Sequence, residues 1–100
     1  MGRYVGTVGR PLDEVRWAID AVAPQQGWTL GFGSTREVAV LTKGMTLWSW
    51  GATLHVHLQD LGGITRLTCD TREELPALTD WGRGKRAAQR LVEALGGTFA

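Results

Sequence analysis

The chain has a single cysteine, two lysines and two serines, and its longest apolar run is far shorter than a bilayer span. Each shortage excludes something. One cysteine can close no internal disulfide and complete no cysteine-based zinc site, so a reducing, cytoplasmic setting is expected. Cys69 lies in "GITRLTCDT", where alternation puts it on one strand face with Thr65 and Leu67 and its thiol acts as a small apolar group. A membrane-spanning helix takes about 20 consecutive apolar residues, which this sequence does not contain. The opening "MGRYVGTVGRP" has no apolar stretch of leader length, and Gly6 stands where a myristoylation signal carries Ser or Thr. Neither export nor a membrane partner is expected. A net charge of +1 gives little bulk attraction for nucleic acid, which only a local patch could recruit.

Motifs that carry chemistry are equally scarce. Ser34 and Ser49 sit in no nucleophile context, and there is no Gly-x-Ser-x-Gly elbow, no His-Glu-x-x-His helix and no pair of carboxylates at a motif spacing. The expectation is a non-catalytic protein with no catalytic residue, no cofactor and no resident metal.

What is present is an ordinary globular composition, 43% hydrophobic and 21% charged over 100 residues, which suits one domain spanning 1–100 with one core. Residues 3–8 alternate as a strand. A first helix follows, with Pro11 suited to its first position, Asp13 and Glu14 at the positive end of its dipole, and Pro24 as its stop. Leu12, Val15, Ile19 and Val22 form its apolar stripe, and Trp17 points nearly opposite, among Asp13, Asp20 and Ala21. "GWTLGF" and "REVAVLTK" read either as two strand segments around a turn or as one bent strand. In "MTLWSWGATLHVHLQDL" the residues Trp48, Trp50, Leu54, Val56 and Leu58 share a face if the strand is continuous through Gly51, where a bulge would switch the register. "DLGG" makes a hairpin connection into "ITRLTCDT", and a second helix runs from about 80 to 95.

"TDWGRGKR" at 79–86 imitates a phosphate loop, but a Walker motif ending at Gly84-Lys85 needs Gly at 79 and Ser or Thr at 86, where this chain has Thr79 and Arg86. Trp81, Gly84, Ala88, Leu91, Val92 and Leu95 instead form one helix stripe, so Gly84 reads as a packing residue. Gly82 reads as a tight turn beneath Trp81. Arg83, Arg86 and Arg90 lie on the opposite face and read first as a solvated face; with Lys85 they form the alternative, a local cationic patch for an anion or, less expected, nucleic acid.

"SWGATLHVHL" at 49–58 and "PALTDWGRGKR" at 76–86 resemble a small bacterial α+β domain of unknown function, in which Ser-Trp-Gly opens one strand and Asp-Trp-Gly opens the last helix. Ser49, Trp50, Gly51, Asp80, Trp81, Gly82 and Lys85 carry the resemblance over the second half of the chain. Gly84 and Cys69 depart from it, standing where relatives tend to have Asn and Ser. The resemblance implies an antiparallel sheet with both helices on one face in the order β-α-β-β-β-α, and it implies no activity. Two one-sided helices and hairpin-short strand connections point independently to the same two-layer α+β fold.

Three sets of residues stand out as candidate sites. His55 and His57 share a strand face with Thr53 and Gln59, a polar, solvent-facing surface with no third metal ligand selected by spacing. Trp17 suggests a protein contact or the rim of a ligand groove. Arg83, Lys85, Arg86 and Arg90 form the anion candidate. The reading that joins the first two is a domain that binds a protein or a small ligand, with homodimerisation as one way to bury an open sheet face.

Overall fold

The computed structural model describes residues 2–31, 33–43, 52–73 and 83–99. Their order is β1 (Gly2–Val8), α1 (Leu12–Gln25), β2 (Thr29–Leu30), β3 (Val38–Lys43), β4 (Ala52–Asp60), β5 (Thr65–Glu73), α2 (Arg83–Ala94) and β6 (Thr98–Phe99). The strands form one antiparallel sheet in the order β2-β3-β4-β5-β1-β6.

Period-two alternation decides which face the helices cover. Leu54, Val56 and Leu58 of β4 are buried, as are Thr65, Leu67 and Cys69 of β5, Ala39 and Leu41 of β3, and Val8 of β1. Cross-strand partners on this face meet apolar to apolar, as in Leu54 with Leu41 and Leu58 with Leu67. Against them pack Leu12, Val15, Ile19 and Ala23 of α1, and Ala88, Leu91, Val92 and Leu95 from α2 and its end. Thr65 is the buried polar exception, and its hydroxyl donates to the Arg10 carbonyl oxygen at 2.9 Å. That bond ties β5 to the entry of α1.

This is the two-layer α+β arrangement expected, with two additions. "GWTLGF" and "REVAVLTK" resolve as two strands, because Gly33 takes φ +92° and the Ser34 hydroxyl donates to Gly31 O and accepts from Val40 N, both at 3.0 Å, turning the chain back on itself. A short β6 also follows α2. The cause lies in Gly96 and Gly97: Gly96 takes φ +80°, Gly97 N donates to Val92 O and Gly96 N to Glu93 O, a Schellman ending that reverses the chain onto β1.

Helix α1 ends the same way, with Gly27 at φ +83°, Trp28 N donating to Ala23 O and Gly27 N to Pro24 O. Two expected boundaries therefore move by a residue or so. Pro11 is the N-cap rather than the first helical residue, and Pro24 lies inside the last turn rather than ending the helix. The glycine reversal, not the proline, is what stops α1, and it turns Trp28 into the core.

Two glycines permit close approach, Gly6 between sheet and helix and Gly97 between β1 and the segment entering β6. A Cβ on Gly6 would lie 2.7 Å from a Val92 methyl, and one on Gly97 would lie 2.5 Å from the Thr7 carbonyl oxygen. Gly97→Ala is expected to destabilise the protein by about 1–3 kcal/mol through overpacking against backbone that cannot yield. Gly9→Ala, at a position with open space around it, is expected to stay within about 0.5 kcal/mol of the parent. Urea unfolding midpoints of the two variants check the contrast.

Candidate functional site

With both helices on one side, no described helix covers the other face of the sheet. Strand pairing arranges it in rows. Val40, His55, Asp70 and Arg3 make one row, Val38, His57, Thr68 and Val5 the next, and Gln59, Arg66 and Thr7 a third. The expected polar face around His55 and His57 is therefore present, on the two longest strands.

Asp70 is the hub of this face. One carboxylate oxygen accepts from Arg3 Nε at 2.8 Å and the other lies 3.5 Å from His57 Nε2. The Asp70 side chain is only 22% exposed, against 73% for Arg3 and 50% for His57. The hydrogen bond from Arg3 to Asp70, with their charge attraction, raises the Arg3 guanidinium above its ordinary value. Arg66, two rows from Asp70, reaches the Gln59 amide oxygen at 3.5 Å and forms no ion pair among the described residues. Chemically this surface offers hydrogen-bond donors, imidazoles and a spare guanidinium flanked by partly buried valines. Among the described residues no three His, Cys, Asp or Glu side chains gather so as to hold a metal ion.

Spacing on β4 alone does not reveal Asp70 and Arg3. For Asp70 a signal existed: a two-residue Gly62-Gly63 turn sets the register and brings His55 opposite Asp70. Arg3 arrives through the β1–β5 pairing, which no local pattern announces.

Trp17 lies elsewhere. It is 74% exposed on the outer face of α1, away from the sheet. The charges around it are mutually neutralised: Arg36 with Asp13, Arg16 with Asp20, and Arg10 with Glu14. The hydrogen bond from Arg36 holds the Asp13 carboxyl below the usual carboxylate range. The structure thus separates Trp17 from the histidines.

Lys85, Arg86 and Arg90 are exposed on α2, and none of them forms an ion pair among the described residues, whereas Arg3, Arg10, Arg16 and Arg36 all do. Arg83 and Gly84 open α2 with only their backbone described, and Ser49, Trp50, Gly51, Asp80, Trp81 and Gly82 lie outside the described residues, as does Trp48. No helix among the described residues is long and apolar enough to cross a membrane.

Compared with protein-family models, curated proteins and solved structures, the chain matches none.

Cys69 faces away from this surface, fully buried beneath the helices. Burial pushes its thiol up to about 12. Because the unfolded chain releases this proton near the ordinary cysteine value while the folded chain keeps it, the group lowers stability as pH rises from about 9 to about 12. A thiol reagent at pH 8 is expected to leave folded protein unlabelled and to react fully in denaturant. Over that alkaline range the wild type should lose more stability than Cys69→Ala, measured by urea unfolding at each pH.

Proposed function

We propose that this chain is a non-catalytic interaction or small-ligand-binding domain whose working surface is the open face of the sheet. One observation carries the reading: both helices pack on the same face, so the central strands β4 and β5 present a row of histidines, threonines and an Asp70-centred hydrogen-bond network to whatever approaches. Half-buried Val5, Val38 and Val40 beside those polar groups give apolar area as well as hydrogen-bonding capacity, the combination that binding surfaces require. A second copy of the chain is one candidate occupant. A cytoplasmic setting and kinship with the small bacterial α+β family belong to the same reading, supported by the lone buried thiol and by the shared layer order.

An amide chemical-shift survey of labelled protein, run against a small-molecule fragment library and along a dilution series, tests it. Shifts are expected to cluster on residues 38–42, 53–59 and 66–70. Shifts confined to residues 13–21 would transfer the role to Trp17, and silence throughout would sink the reading.

A second reading rests on the unpaired cations of α2. Among the described residues Lys85, Arg86 and Arg90 form no ion pair, so an anion or a nucleic-acid backbone is a fitting counterpart. Titration with phosphate, a short DNA and a short RNA is expected to move residues 85–90 at low salt and to lose that effect at high salt. Combined Arg86→Ala and Arg90→Ala should abolish the shifts for every sequence alike.

A further inference from the structure

The β4–β5 hairpin ends in an unusual tip. Gly62 and Gly63 turn at φ +85° and +87°, Leu61 N donates to Ile64 O at 2.8 Å, and Gly62 N donates to an Asp60 carboxylate oxygen at 2.9 Å. The turn is thus held by its own backbone and by Asp60. Its two aliphatic side chains contribute nothing to the core, since Leu61 and Ile64 are each 44% exposed. Continuing the alternation of the ladder, they fall beside Gln59 and Arg66, on the same open face as His57 and Thr68.

We propose that this end of the open face docks a different protein through an acidic segment flanked by aliphatic side chains, with Leu61 and Ile64 as the apolar contact and Arg66 as the charge that selects it. The proposal rests on the open-face reading and narrows it to one kind of partner. Charge complementarity decides between occupants. Among the residues whose side chains are described, the open face carries Arg3, Arg66 and two imidazoles against one carboxylate, and that carboxylate, Asp70, already faces Arg3 and His57. Arg66 has an amide for company and no acid among the described residues. A second copy applied to this face would bury Arg66 against a surface whose acid is engaged, leaving a desolvated guanidinium without a counter-charge. An acidic partner supplies the missing carboxylate, and exposed aliphatics beside a selecting charge form the apolar core and polar rim of a protein contact.

The experiment uses the full labelled chain and two capped pentapeptides as probes, acetyl-Val-Glu-Leu-Glu-Val-amide and its counterpart with Lys at both Glu positions. The acidic peptide is expected to shift the amides of residues 59–68, and the basic one to bind them at least about fivefold more weakly. Arg66→Glu, an exposed change whose folding is verified from its amide spectrum, should reverse that preference, and Leu61→Ser with Ile64→Ser should weaken both probes. Equal response to the two peptides would overturn the acidic partner while leaving the open face as a binding surface. So would silence toward both peptides when fragments still shift that face. Shifts at 59–68 on simple dilution would name a second copy as the occupant and overturn the proposal, and silence of the face toward peptides, fragments and dilution alike would remove both readings together.

Discussion

Burial on one side only is the constraint from which everything else in this molecule follows. The β4–β5 hairpin alternates strictly, with Leu54, Val56 and Leu58 opposite Thr71, Cys69 and Leu67 on one face and His55 and His57 opposite Asp70 and Thr68 on the other. A one-residue slip would exchange the two faces entirely. The short Gly62-Gly63 turn prevents it, and the Thr65 hydroxyl, buried yet bonded to the Arg10 carbonyl, holds the register from the neighbouring element. Once that hairpin is set, α1 and α2 have only one apolar surface to cover.

Function-bearing chemistry is distributed by the same constraint. Among the described residues charge gathers at the Arg3–Asp70–His57 cluster and Arg66 on the open face, in the ion pairs around Trp17, and at the cations of α2. They differ in how far their charge is already satisfied within the chain. Around Trp17 every basic group has an acid in reach, so that surface presents an aromatic ring in a neutral setting. On α2 and at Arg66 no ion pair is seen among the described residues.

Much of this layout was legible from residue patterns. The stripe of α1, the exposed Trp17, the shared face of Thr65, Leu67 and Cys69, and the polar side carrying His55 and His57 all follow from local periodicity, which a helix or strand expresses directly. Features that depend on distant partners were not legible. Asp70 becomes a hub only because β1 inserts beside β5, and Arg3 is 67 residues away from it in the chain. Gly84 was expected to pack closely and lies where only the backbone is described; Gly6 and Gly97, which no local pattern announced, are close-packed because a Cβ would meet Val92 of α2 at the first and the Thr7 carbonyl oxygen of β1 at the second. Strand β6 was missed because two residues carry no periodicity, although the Gly96-Gly97 reversal that creates it was in plain view.

The strand order has a kinetic side. Strands β3, β4 and β5 are consecutive and neighbouring, so they can zip together through short-range contacts. β1 cannot. It precedes its partners β5 and β6 in the chain, so during synthesis its ladder groups wait for those later strands to emerge. Closing so long a loop costs entropy before any contact returns it, which favours pairing of β3, β4 and β5 ahead of β1. Until then the edge of β5 stands open, and a nascent chain carries, for that interval, a strand-shaped vacancy that another chain could fill.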